Sequence, residues 1–198
     1  MIKNIIFDVG NVLVLWDKEL IAKSVFPKNE EACKIALEDC LKSPYWLEYD
    51  LGKESDETIK NKMKEKIPKD KQHYVDEFLA NCTEHLQIIK EVNEWGIKMN
   101  KKGYKIYLLT NFPSTFPKFL PHLPIKDYIE GYVCSSEVKI MKPDKAVFEL
   151  LFDKFNLKRE ECLFIDDVKN NTDAALEVGM GKVITFNGKV EQLEEFDK

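Results

Sequence analysis

The chain is almost without arginine: among 30 basic residues, Arg159 is the only one, and the rest are lysines. Bidentate guanidinium recognition is therefore nearly excluded, and any phosphate ligand has to be held by lysine and backbone N–H groups. Cysteine is sparse and odd in number. Cys33, Cys40, Cys82, Cys134 and Cys162 are scattered with no C-x-x-C spacing, which excludes a zinc-type cluster or disulfide framework and reads as reduced, buried thiols. No apolar run approaches the length of a membrane span, so no membrane partner is expected. The first residues already read as a strand, which leaves no room for a secretory leader, and the expected compartment is cytoplasmic. Net charge is −5, from 35 acids against 30 bases. Without a clustered basic face, nucleic acid is not an expected partner. There is no internal repeat and no low-complexity segment. What remains, 198 residues with 44% hydrophobic and 33% charged, suits one globular domain carrying an insertion.

The most informative stretch is Ile5-Ile6-Phe7-Asp8-Val9-Gly10-Asn11-Val12-Leu13. A β-branched and aromatic run ends in a carboxylate and a Gly-Asn turn, which predicts a buried strand that stops at Asp8. The carboxyl ends of strands in an open α/β sheet face the ligand crevice, making Asp8 a site candidate. An Asp that merely caps the following loop is the plainer alternative.

From Asp17 to His85 the pattern is helical and charge-laced with no convincing strand, about a third of the chain. Ala32, Cys33, Ile35, Ala36, Leu37 and Leu41 give a helical face over Asn29–Lys42, bracketed by Pro27 and Pro44. Ser55-Asp56-Glu57-Thr58 reads as a capped helix start running through Met63 and stopping before Pro68. Tyr74, Val75, Phe78 and Leu79 mark a further helix near Lys71–Ala80. This segment, residues 17–85, is expected to be an inserted helical cap; residues 1–16 and 86–198 form the core.

Strand–helix alternation begins at His85. Leu86, Ile89, Val92 and Trp95 predict a helix face, with Gly103 free to end the helical region. Tyr104–Leu109 is a predicted strand that stops at Thr110-Asn111, and Gly131–Cys134 one that opens into Ser135-Ser136. Asp144–Phe155 follows Pro143 as a helix with Ala146, Val147, Leu150 and Leu151 inward. Glu161–Ile165 is a strand ending in Asp166-Asp167, Asn171–Val178 a helix closed by Gly179, and Lys182–Phe186 the last clear strand. The fold class is thus α/β, a Rossmann-like, doubly wound parallel sheet covered on both faces.

Three predicted strands end in reactive groups: Asp8, Thr110-Asn111 and Asp166-Asp167. Lys142-Pro143 precedes a helix between the last two. Singly, these read as turn residues, a solvated lysine and a helix cap; in one sheet they converge on one crevice.

The ordered segments Phe-Asp-x-Gly-Asn-Val, Leu-Leu-Thr-Asn, Lys-Pro-Asp and Phe-Ile-Asp-Asp-x-x-x-Asn-x-x-Ala-Ala-x-x-x-Gly-Met resemble the four motifs of the haloacid dehalogenase (HAD) superfamily. The resemblance covers nearly the whole chain, and that family carries its cap after the first motif. The Gly-Asn form of that motif, with Tyr49-Asp50-Leu51-Gly52-Lys53 in the cap, is most similar to the branch containing bacterial α-glucose-1-phosphate phosphatases. The resemblance implies that Asp8 is a nucleophile forming an aspartyl-phosphate. It implies Mg²⁺ held by Asp8, Asp167 and the Gly10 backbone carbonyl, and phosphate held by Thr110, the Asn111 backbone N–H and Lys142. It places Asp166 and Asn171 behind the metal site as orienting groups. The implied partner is a small phosphorylated metabolite such as a hexose 1-phosphate.

One position departs from the family pattern. Most of its phosphatases have an Asp two residues after the nucleophile as general acid and base, whereas this chain has Gly10. Such catalysis contributes roughly 10² to 10⁴ in rate, about 3 to 5 kcal/mol. An anomeric oxygen leaves more readily than a primary alcohol, which favours a sugar 1-phosphate. A water, or Asp17 at the base of the cap, stands as a replacement acid. Two other readings stay open. A 2-haloacid dehalogenase also lacks the second Asp, but it uses no metal and lacks the acidic pair of the fourth motif. A degenerate fold that binds a phosphorylated ligand or a protein without turnover is the other. Trp16, Tyr45, Trp46 and Tyr49 are left as either sugar-stacking or packing aromatics.

Overall fold

The first motif forms the middle of the sheet in the computed structural model, which describes residues 1–197. β1 (Asn4–Phe7) is buried along its length, and the chain turns at Asn11, whose φ is +53°. A two-residue strand, β2 (Val14–Leu15), leads to α1 (Lys18–Val25), which is capped by the Asp17 side chain accepting from the Leu20 amide. α2 (Glu30–Ile35), capped by Asn29, runs without a break into a π-helical turn at Ala36–Leu41, so the helix predicted over 29–42 exists but widens halfway. α3 (Tyr45–Leu51) ends at Gly52 with φ +64°, and α4 (Asp56–Lys64) begins at Ser55, whose hydroxyl accepts from the Thr58 amide. α5 (His73–Asn81) closes the helical segment.

Residues 86–89 correct the sequence reading. They are not the start of a helix: Gln87–Ile88 form β3, which pairs antiparallel with β2, Val14 opposite Ile88. The amide of Ile89 and the side chain of Asn93 both donate to the Leu13 carbonyl at 2.9 Å, which ties the two ends of the helical segment together. α6 (Lys90–Lys101) follows and buries Val92, Trp95 and Met99. β4 (Lys105–Thr110), a short α7 (Phe116–Phe119), β5 (Ile129–Cys134) and a short α8 (Ser135–Val138) come next. α9 (Lys145–Phe155) is capped by Asp144. Its inward face is Val147, Phe148, Leu151 and Phe152, while Ala146 is exposed and Leu150 half-buried. The expected stripe was thus rotated, because the bulkier phenylalanines fill the sheet contact. β6 (Cys162–Asp166), α10 (Lys169–Glu177), β7 (Lys182–Thr185) and α11 (Glu191–Glu194) complete the chain.

The five long strands make one parallel sheet in the order β5-β4-β1-β6-β7. Successive side chains of a strand point to opposite faces. Ile5 and Phe7 therefore join one core with Trp95, Met99, Leu108 and Ile165. Ile6 joins the other with Tyr107, Phe148, Leu151 and Phe164. Covered on both sides, the sheet is the doubly wound α/β arrangement expected. The helical segment has buried side chains of its own, including Ile59, Met63, Val75 and Phe78. Trp46 and Tyr49 are buried too, with Trp46 against the rings of Trp16, Tyr49 and Phe78 at 5.5, 5.8 and 6.4 Å. Trp46 and Tyr49 are therefore packing residues. No helix among the described residues is long and apolar enough to cross a membrane.

Candidate active site

β4, β1 and β6 are hydrogen-bonded neighbours, with Phe7 in register with both Leu108 and Ile165. The residues that follow them therefore emerge side by side at one sheet edge. Asp8 donates its backbone N–H to the Ile165 carbonyl at 2.9 Å, and its Oδ1 accepts from the Val9 amide at 2.7 Å. Lys142 Nζ lies 2.8 Å from that same Oδ1 and 2.6 Å from Asp166 Oδ2. All three side chains are withdrawn from solvent.

Lys142 is aimed by Asn111. The Asn111 Oδ1 accepts from the Lys142 amide at 2.9 Å, and its Nδ2 donates to the Lys142 carbonyl at 3.0 Å. Asn171 Nδ2 donates to both Asp166 oxygens at 3.1 Å, and the Val168 amide adds a bond of 2.8 Å to Asp166 Oδ1. With Lys142 on Oδ2, both oxygens of Asp166 are occupied. Asp167 is oriented by Asn11, whose Nδ2 donates to Asp167 Oδ2 at 2.9 Å while its Oδ1 accepts from the Trp16 amide at 2.9 Å. The left-handed backbone of Asn11 makes this pairing of the two loops possible, and asparagine is among the few residues that enter that region readily.

One carboxylate oxygen each from Asp8, Asp166 and Asp167 lies within 4.8 Å of the other two. Three acids against one ammonium is a site short of positive charge. Burial pushes the Asp8 carboxyl up to about 7; Lys142 pulls against this and Asp166 adds to it. Burial likewise raises Asp167, opposed by the bond from Asn11. For Lys142 burial works against the ammonium, but Asp8 and Asp166 outweigh it and hold the group above its ordinary range. A hard divalent cation takes oxygen ligands and relieves such crowding. With Asp166 occupied, Asp8 and Asp167 are the carboxylates that fit it, beside the Gly10 backbone on the same cleft.

The cleft is small, about 170 Å³. Of the residues expected from the sequence, Asp8, Gly10, Asn111, Lys142, Asp167 and Asn171 line it. Thr110 and Asp166 stand behind its wall, 1% and 0% exposed. The Thr110 hydroxyl is buried with no hydrogen-bond partner among the described residues. An unpaired buried hydroxyl of this kind costs about 1 to 3 kcal/mol, and the end of β4 is where an incoming oxygen would find it. Asp17 is not in the cleft; it caps α1 and cannot stand in for an acid at position 10.

Sequence reasoning missed Asp50. This half-buried residue near the end of α3 lines the cleft from the helical segment. The Asp50 carbonyl accepts from Ser135 Oγ at 2.5 Å, and Ser135 Oγ accepts from the Phe112 amide at 3.0 Å. Lys139 Nζ donates to the Gly52 carbonyl. Asn11 was missed as well, although it stands in the first motif.

Residues 2–179 match the family model for haloacid dehalogenase-like hydrolases. A phosphoglycolate phosphatase of Yersinia pestis is 31% identical over 106 residues, 52% of this chain and 46% of that protein. The chain's matches thus span about half the length of such curated relatives. Among solved structures, a HAD family enzyme from Bacteroides thetaiotaomicron superposes with a TM-score of 0.74 at 25% identity, covering 100% of this chain and 99% of that one. Its complex with magnesium and inorganic phosphate gives 0.71 at 24%, over 95% and 96%. The L-2-haloacid dehalogenase of Xanthobacter autotrophicus shares the fold at 15% identity, with a TM-score of 0.66 over 92% and 76%.

Proposed function

The chain belongs to the haloacid dehalogenase-like hydrolases, and from that premise we propose that it is a Mg²⁺-dependent phosphatase of a small phosphorylated metabolite. The observation that carries the reading is the buried Asp8–Lys142–Asp166 arrangement with Asp167 alongside. In this reading residues 1–16 and 86–198 are the catalytic core and 17–85 the cap, and the protein works in the cytoplasm. The relatives named as phosphoglycolate phosphatases and the neighbour solved with magnesium and phosphate support the reaction class.

Asp8 Oδ attacks phosphorus, the bond to the leaving oxygen breaks, and water later hydrolyses the aspartyl-phosphate. Lys142 is held by Asn111 where it meets both nucleophile and phosphate charge. The Asn111 backbone N–H receives a phosphate oxygen, and the unpaired Thr110 hydroxyl, buried just behind the wall, is the group a phosphate oxygen pressing in at the end of β4 would satisfy. Asp8, Asp167 and the Gly10 carbonyl would hold the magnesium, which supplies the charge that lets an anionic nucleophile approach an anionic phosphate. Asp166 and Asn171 keep Lys142 and the metal ligands in place.

For the leaving group, charge decides. Lys142 is the only cation among the residues lining the cleft, and the helical segment adds the acid Asp50. A second anionic group, such as the carboxylate of phosphoglycolate, would find no free cation lining the cleft, because Lys142 is already paired to Asp8 and Asp166. A neutral, hydroxyl-bearing group such as a hexose is accepted, and the 1-phosphate is favoured because its anomeric oxygen is the easier to expel. The test is a comparison with Mg²⁺ of glucose 1-phosphate, phosphoglycolate and an aryl phosphate. Turnover is expected on the first and third, at least about tenfold better in kcat/KM than on phosphoglycolate, and abolished by EDTA and in Asp8→Asn. A preference for phosphoglycolate would overturn the sugar-phosphate reading. Halide release from a 2-haloacid without metal, or phosphate binding without turnover, would overturn the phosphatase reading.

A further inference from the structure

Accepting the phosphatase reading, we propose that Asp50 is the general acid and base of this protein, supplying from the cap the proton group that position 10 lacks. Three observations carry it. Asp50 is the only carboxylate of residues 17–85 that lines the cleft containing Asp8. Position 10, where the acid stands in most related phosphatases, is glycine, and crowding does not explain that choice. A Cβ there would have Trp16 Cβ as its nearest neighbour at an ordinary 3.7 Å, and Gly10 is not among the positive-φ residues. The backbone of Asp50 is also fixed to the core: its carbonyl is bonded to Ser135 Oγ, and two residues on the Gly52 carbonyl accepts from Lys139. A group that must meet a leaving oxygen needs such placement.

The electrostatics agree with a neutral acid. Burial, the largest influence, pushes the Asp50 carboxyl well above its usual range; Lys18 of α1 opposes this and Asp8 reinforces it. Cys82, Cys134 and Tyr49 are the other titratable groups that feel Asp50, and burial raises all three, so they add no charge beside it.

The steps balance. As Asp8 Oδ bonds to phosphorus and the phosphorus–oxygen bond of the substrate breaks, the Asp50 carboxyl gives its proton to the departing alkoxide. In the second half, Asp50 carboxylate takes a proton from the water that attacks the aspartyl-phosphate, and Asp8 and phosphate are released. Asp50 ends as it began.

Leaving-group dependence and rescue provide the test. Three proteins, the wild type, Asp50→Asn and Gly10→Asp/Asp50→Asn, are assayed with Mg²⁺ on an alkyl phosphate and on an aryl phosphate whose phenoxide needs no proton. In Asp50→Asn the alkyl substrate is expected to lose about 100-fold or more in kcat, the aryl substrate only severalfold in its first half-reaction, read as the burst of phenol. The double variant should recover at least about tenfold on the alkyl substrate, because position 10 then offers the same proton. Equal losses on both substrates, or no recovery with Asp at position 10, would overturn the role of Asp50 while leaving the phosphatase reading intact. A wild type inactive on both substrates would overturn both.

Discussion

Lys142 is the side chain on which the charge balance of the cleft turns. It is buried and paired to both Asp8 and Asp166, and its backbone is gripped on both sides by Asn111. Removing one partner of a buried ion pair leaves uncompensated charge and costs about 3 to 5 kcal/mol. Lys142→Ala is therefore expected to lose about that much stability in metal-free urea unfolding. Added Mg²⁺ should restore part of it by placing positive charge between Asp8 and Asp167, while activity remains lost. A variant as stable as the wild type without metal would show that the acids do not depend on this lysine. At this scale Asp8, Lys142, Asn111 and Asp167 were legible because each ends a strand or opens a helix in a recognisable string. Asp50 and Asn11 were not. Whether a side chain on the last turn of a helix faces solvent, core or a cleft depends on how that helix is docked, which helix periodicity alone does not state. Asn11 was hidden by its neighbours: its acceptor, Asp167, lies 156 positions away.

Among the elements, the end of α3 decides where Asp50 is held. Gly52 sits there with φ +64°, and a Cβ on it would lie 2.7 Å from the Ser136 carbonyl oxygen and 2.8 Å from Ser136 Cα. Both the left-handed backbone and the close approach to α8 require glycine. Gly52→Ala is expected to cost at least about 1 kcal/mol in stability. It should also lift α3 from the loop, so that alkyl phosphate turnover falls about tenfold while the aryl burst is less affected. Thermal unfolding and the two-substrate assay check the two halves; an unchanged substrate ratio would separate α3 placement from leaving-group chemistry. The longer elements were readable from periodicity and from one cap, Ser55, which accepts the Thr58 amide; Asn29 and Asp144, read only as the first residues of helices, cap theirs as well. The β2–β3 ribbon was not, because two-residue strands carry no period and exist only through the pairing of Val14 with Ile88.

At the scale of the whole molecule, the same burial that builds the sheet silences most of the thiols. Burial pushes Cys40 and Cys82 up to about 12 and Cys162 up to about 11, and raises Cys134 as well. Since the thiolate is the reactive form, these four should stay protonated and unreactive at pH 8. Only the half-buried Cys33 is then open to attack. A thiol-disulfide titration is expected to count about one prompt thiol in the native protein and five in urea; more than one prompt thiol without denaturant would contradict the packing described. The sequence by itself determined the parallel α/β sheet, the run of helices between its first motif and residue 86 and the family, because alternation of apolar periods, strand-ending acids and ordered motifs are local properties of the string. Only the tertiary structure decided which residues share the cleft. It buried Thr110 and Asp166 behind the wall, turned Asp17 into a helix cap and brought Asp50 across from α3. The physical reason is that burial and the local field at a carboxylate are set by what packs around it, and for a residue on an inserted helix those neighbours come from distant parts of the chain.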